Sequence, residues 1–152
     1  VAGSESINQE YIRGVDASVS VFSDGRNSKA ICLNKQHIIR TGNLLGYSGG
    51  FAPLSHPLRD DAFVLAEKAV NSIKGLKGCV GVDMVLSDEP YIIEINPRVT
   101  TSMAALEQAA DFNVAASSLE AYKGKLPKRP EFKSMVEFNL TEEGVSFLHK
   151  DI

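Results

Sequence analysis

The chain has 152 residues, 43% of them hydrophobic and 23% charged, which is enough for one domain with its own core. A formal net charge of −3 leaves no electrostatic footprint for nucleic acid, and no apolar run is long enough to span a membrane. No secretory leader pattern is visible. Cys32 and Cys79 sit in separate apolar runs without metal or disulfide spacing, so reduced core thiols and a cytoplasmic address are expected.

Val1–Ser6 is small and polar. It reads as a frayed terminus or, through Gly3 and Ser4, as a turn whose amides could cradle phosphate. Ile7–Ile12 is a short strand candidate, and Arg13–Asp16 turns the chain. Ala17–Phe22 alternates small or polar residues with Val and Phe, the pattern of a half-buried strand. Asp24-Gly25 within Ser23–Asn27 marks a hairpin loop. Lys29–Leu33 and His37–Arg40 continue as strands, broken at Asn34–Gln36, so the first third predicts an antiparallel meander. Thr41–His56 carries four glycines and Pro53 and reads as a long loop facing substrate, with a disordered linker as the alternative. His37 is expected as a surface strand residue and His56 as a loop or cap residue.

Pro57–Lys74 is the clearest helix. Leu58, Ala62, Leu65, Ala66, Ala69, Val70 and Ile73 make one stripe, Pro57 suits the first turn, and Asp60 and Asp61 suit its positive end. Thr100–Phe112 and Asn113–Tyr122 read as two more helices. Lys125–Glu131 is a connector, Lys133–Leu140 a last strand, and Thr141–Ile152 has no clear assignment. The elements add up to an α+β domain, an antiparallel β-sheet with helices packed on one face.

The stretch Gly78–Ser102 organises the rest. Cys79–Leu86 and Tyr91–Ile95 flank the turn formers Ser87–Pro90, a hairpin signal. Folding about Asp88 and Glu89 sets Asp83 opposite Glu94 and Gly81 opposite Asn96. Val82, Met84 and Leu86 then share a core face with Tyr91, Ile93 and Ile95. Two carboxylates about 4.5–5.5 Å apart at Cβ repel unless something lies between them. An all-oxygen set of Asp83, Glu94 and Asn96 suits Mg²⁺ or Mn²⁺, and magnesium usually completes its shell with substrate phosphates. The alternative is that one acid pairs with a lysine or faces solvent.

Three stretches resemble one family, the ATP-grasp ligases. Gln9–Asp16 with Ala17–Phe22 resembles the family's hinge strand. Gly81-Val82-Asp83 resembles its first metal-ligand strand, and Glu94-Ile95-Asn96-Pro97-Arg98 its second, of E-x-N-x-R form. Within the family, Tyr47–Gly50 and Glu94–Ser102 are similar to archaeal enzymes of the tyramine–L-glutamate ligase type. The resemblance implies a C-terminal ATP-grasp subdomain over residues 1–152, a piece of a longer enzyme without most of the lysine-bearing small subdomain. It implies Gln9 on the adenine amino group, the backbone of Glu10, Tyr11 and Ile12 on the adenine edge, and Asp16 on the ribose. It implies Asp83, Glu94 and Asn96 on magnesium, and Arg98 at the reacting carboxylate. ATP and Mg²⁺ (or Mn²⁺) are the implied cofactors, with small-molecule carboxylate and amine substrates. The implied reaction joins the two through an acyl phosphate. A non-catalytic nucleotide-binding or regulatory module is the alternative. Lys35 and Arg40 are further phosphate candidates, Lys35 also reading as a surface residue. Homo-oligomerisation stays open.

Overall fold

The computed structural model describes residues 10–42 and 44–151, apart from the Arg40 side chain. The expectations for Val1–Ser6, for the first residues of Ile7–Ile12 and for Gln9 lie outside the described residues. Among the described residues, seven strands and three helices follow in the order β1 (Val15–Asp24), β2 (Ser28–Thr41), β3 (Leu44–Ala52), α1 (Arg59–Ser72), β4 (Lys77–Leu86), β5 (Pro90–Asn96), α2 (Thr101–Ala109), α3 (Val114–Tyr122), β6 (Ser134–Thr141) and β7 (Gly144–Asp151). The strands form one antiparallel sheet in the order β5-β4-β1-β2-β3-β6-β7. The α+β class is as the sequence predicts.

Alternation along β1 divides the core. Ala17, Val19 and Val21 point to one face, where they pack with Val80, Val82 and Met84 against Ala62, Phe63, Ala66 and Val70 of α1. Phe22 points the other way and meets Ile31, Cys79, Met103, Leu106 and Val114 under α2 and α3. The helices therefore sit on both faces of the sheet rather than on one. Covering both faces is what lets β1 and β4 be buried along nearly their whole length. Phe22 and Phe138 are fully buried, each stabilising the second face by roughly 1.5–3 kcal/mol. Both cysteines are free and buried, as expected, and burial raises both thiols, Cys32 the more strongly.

Several elements differ from the sequence expectation. Glu10–Ile12 carries no strand, and β1 begins at Val15, so Asp16 is a strand residue and not part of a turn. β2 runs unbroken through Asn34–Gln36, and its ladder with β3 shifts between His37 and Ile38, where Ser48 of β3 is the extra residue. The glycine-rich stretch is no loop: Leu44–Ala52 is β3, held between β2 and β6. Gly49 and Gly50 permit this, because a Cβ on either would strike the carbonyl oxygen of Phe138 or Lys35. The first helix starts at Arg59, two residues late, and buries Phe63, which the predicted stripe omits. The second ends at Ala109, after which Ala110 bridges to Phe132. The unassigned tail is β7, whose residues are all exposed.

One polar cluster covers an open stretch of strand. Around Ala30, β2 lies beyond the reach of β3, which first pairs at Lys35. The Ala30 amide donates to Glu67 Oε1 of α1 at 2.8 Å, and Arg129 Nε donates to the Ala30 carbonyl at 2.8 Å. Arg129 also stacks 4.5 Å over the Phe63 ring and lies 3.6 Å from Glu67. Side chains here do what a neighbouring strand would do for the backbone.

Candidate functional site

The predicted hairpin register is observed: Asp83 pairs with Glu94, and Gly81 with Asn96. A bulge between Asp83 and Met84 then shifts the ladder, so Met84 faces Ile92 and not Ile93. Ile92 and Ile95 pack on the core, whereas Ile93 is half exposed and Tyr91 donates to Asp88 at 3.0 Å. The expected core face of Tyr91, Ile93 and Ile95 is corrected accordingly. The bulge turns the extra residue, Ile93, into the same cleft as Glu94.

That cleft has a volume of about 660 Å³ and opens on the sheet face not covered by α1. Glu10, Tyr11, Ile12, Asp16, Asp83, Glu94, Asn96 and Arg98 all line it. Gln9 lies outside the described residues. Three distant stretches of sequence thus converge because β4 pairs with both β1 and β5.

Asn96 sits between the two acids. Its Nδ2 donates to Glu94 Oε1 at 2.8 Å and to Asp83 Oδ2 at 3.3 Å. Burial raises the Asp83 carboxyl to about 6, with the charge of Glu94 adding to the rise. A Gln36 hydrogen bond and the Arg98 charge pull it partly back. A pair of acids held this close, with an amide between them, is a receptor for positive charge. Among the described residues no three His, Cys, Asp or Glu side chains meet as a metal cluster. The candidate donors are two carboxylates and an amide, and turning the Asn96 amide about its last torsion presents its oxygen where the nitrogen now points. That set fits a hard cation that keeps waters and takes ligand phosphates.

Arg98 follows at the rim, exposed, its amide donating to the Asn96 carbonyl at 2.8 Å and its Nη1 to the Val99 carbonyl at 3.2 Å. Thr100, Thr101 and Ser102 at the start of α2 also line the cleft, and the Thr100 and Ser102 hydroxyls lie 3.0 Å apart. Lys35 is not part of the lining: its Nζ donates to the Asp16 carbonyl at 3.1 Å. Arg40's side chain lies outside the described set. His56 caps locally, accepting from the Leu58 amide at 3.2 Å, and Ser48 donates to the His37 carbonyl.

Sequence reasoning missed Ser18, Gln36, Ile38 and Leu45, all in the cleft lining. Reading β2 as one strand would have found Gln36, since alternation sets it on the face of Asn34, which pairs with Ser18. Beneath them, Asn34 is fully buried and donates to the Ser18 and Ser20 hydroxyls at 3.3 and 3.0 Å. Tyr47 closes one side of the cleft. Burial first and then the Asp83 charge raise its hydroxyl to about 12, so it stays protonated at neutral pH.

The sequence profile of the ATP-grasp domain matches residues 1–102. Tyramine–L-glutamate ligase of Methanocaldococcus fervens is 43% identical over 99 residues, which cover 65% of this chain and 32% of that protein. Its Methanocaldococcus jannaschii counterpart is 42% identical over 100 residues, covering 65% and 31%. The chain spans about a third of the length of these curated relatives. Among solved structures, an ATP-grasp superfamily protein from Archaeoglobus fulgidus superposes with a TM-score of 0.67 at 31% identity, over 95% of this chain and 48% of that one. Phosphoribosylglycinamide synthetase from Anaerococcus prevotii, at 17% identity and a TM-score of 0.71 over 86% and 36%, shares the fold.

Proposed function

The chain belongs to the ATP-grasp family, and from that membership we propose that it serves an ATP-dependent ligase that joins a carboxylate to an amine through an acyl phosphate. The observation that carries this reading is the meeting of Asp83, Glu94, Asn96 and Arg98 with Glu10–Ile12 and Asp16 in one cleft. In it, residues 1–152 form the hinge and metal side of the nucleotide site. Gln9 and the backbone of Glu10 to Ile12 hold adenine, and Asp16 holds the ribose. Asp83, Glu94 and Asn96 hold magnesium or manganese, which neutralises the triphosphate when bound. Arg98 orients the acid by binding its carboxylate or the transferring phosphoryl group bidentately.

The chemistry then needs positioning and charge control more than covalent help. A carboxylate oxygen attacks the γ-phosphorus, the bond to the β–γ bridging oxygen breaks, and ADP leaves. The amine nitrogen adds to the acyl carbon, phosphate departs with its bonding pair, and the nitrogen gives up a proton. The named substrates of the curated relatives make L-glutamate and tyramine the first pair to try.

The test follows ADP and amide together in the full-length protein with Mg-ATP, L-glutamate and an amine panel headed by tyramine. Equal amounts of ADP and amide are expected, and Glu94→Gln is expected to lower kcat by about a hundredfold or more. ADP release that no amine increases, with no amide formed, overturns the ligase reading.

A further inference from the structure

The glycines of β3 fall into two groups. Gly49 and Gly50 are required by the close approach of neighbouring backbone. Gly46 is not: its φ is not positive, and a Cβ there would find the Ile39 carbonyl oxygen at 3.9 Å as its nearest neighbour. A glycine inside a strand costs roughly 0.5–1 kcal/mol against alanine. Where no packing demands it, the bare backbone points to close approach by something else.

Gly46 lines the cleft between Leu45 and Tyr47, and Ile38 pairs with Tyr47 across the ladder and lines it too. Leu45 is 71% exposed, an apolar side chain that no part of the described fold covers. The Tyr47 ring is propped at 6.5 Å from Phe138. None of the three side chains Ile38, Leu45 and Tyr47 is charged. The acids Asp83 and Glu94, with the Asn96 amide, stand on β4 and β5, with β1 between them and the β2–β3 hairpin.

We propose that Ile38, Leu45 and Tyr47 seat the apolar body of the amine substrate, and that the missing side chain at Gly46 sets how bulky that amine can be. The inference rests on the ligase reading above and adds a specificity-determining position to it. The division of the cleft decides which ligand goes where. The triphosphate and the acid are anions and belong with the cation site and Arg98. The amine must shed its charge before it attacks, so it loses least by passing an uncharged wall. Adenine, the other flat apolar ligand, has its place at Glu10–Ile12 in that reading.

The experiment compares full-length wild type and Gly46→Val with methylamine, isoamylamine and tyramine at saturating L-glutamate, and measures KM for ATP in parallel. Valine suits an extended strand, so the variant is expected to melt at or slightly above the wild type. The expected result is a loss in kcat/KM of about tenfold or more for tyramine, less for isoamylamine and little for methylamine, with KM for ATP unchanged. Equal losses for all three amines, or a rise confined to KM for ATP, overturn the inference and leave the ligase reading standing. No amide from wild type with any amine overturns both.

Discussion

Replacing Asp83 by Asn probes how far the cleft is held together against its own electrostatics. Burial and the neighbouring Glu94 raise this carboxyl from its ordinary 3.8 to about 6. A carboxyl whose folded pKa lies above its unfolded value holds its proton more tightly in the native state. The native state is therefore favoured in acid, and the advantage is lost as the pH rises from about 4 through about 6. Across that interval the loss amounts to about 3 kcal/mol, and screening of a partly exposed group leaves about 1–2 kcal/mol. Asparagine keeps the shape and an acceptor for Asn96 but never ionises. At pH 8 in chelator, Asp83→Asn is therefore expected to melt about 2–6 °C above the wild type, and at pH 4 the two should melt together. Adding Mg-ATP should raise the wild type and leave the variant where it was. Thermal melts by circular dichroism at pH 4, 6 and 8 provide the readout. A variant less stable than wild type at pH 8, or an advantage that does not shrink on acidification, refutes the reasoning.

Two further perturbations address the frame. Arg129→Ala strips the Ala30 carbonyl of its charged donor and Phe63 of its stacked guanidinium, so a loss of about 2 kcal/mol, or about 4–8 °C in Tm, is expected with ATP affinity unaltered. Gly50→Ala drives a methyl into the Lys35 carbonyl. A loss of more than about 3 kcal/mol in urea melts is expected, against almost none for Gly46→Ala, where the same methyl makes only an ordinary contact with the Ile39 carbonyl at 3.9 Å.

The acidic hairpin was legible because strand alternation and a short turn fix register together, so Asp83 and Glu94 could be set face to face from spacing alone. The bulge beside Asp83 was not, since an inserted residue leaves no mark in a run as apolar as Tyr91–Ile95. The glycines of Thr41–His56 looked like loop signals, yet at Gly49 and Gly50 they are there because another strand passes too close for a side chain. β7 escaped because its residues are exposed throughout, so it carries no buried face to give it a period. Gln36 was hidden by the false break at Asn34, a polar residue that is fully buried and hydrogen-bonded to two serines. The roles of the cleft residues came from likeness to a family. Their convergence in space is what the fold adds.

The two-sided core has a practical bearing on how the polypeptide can be cut. The family match stops at residue 102, the second residue of α2. A version trimmed there would keep every candidate ligand, yet it would uncover Phe22, Ile31 and Cys79 and remove the arginine that shields Ala30. Such a fragment should be sticky and short-lived, so the segment from 103 to 138 belongs to the same cooperative unit as the candidate ligands.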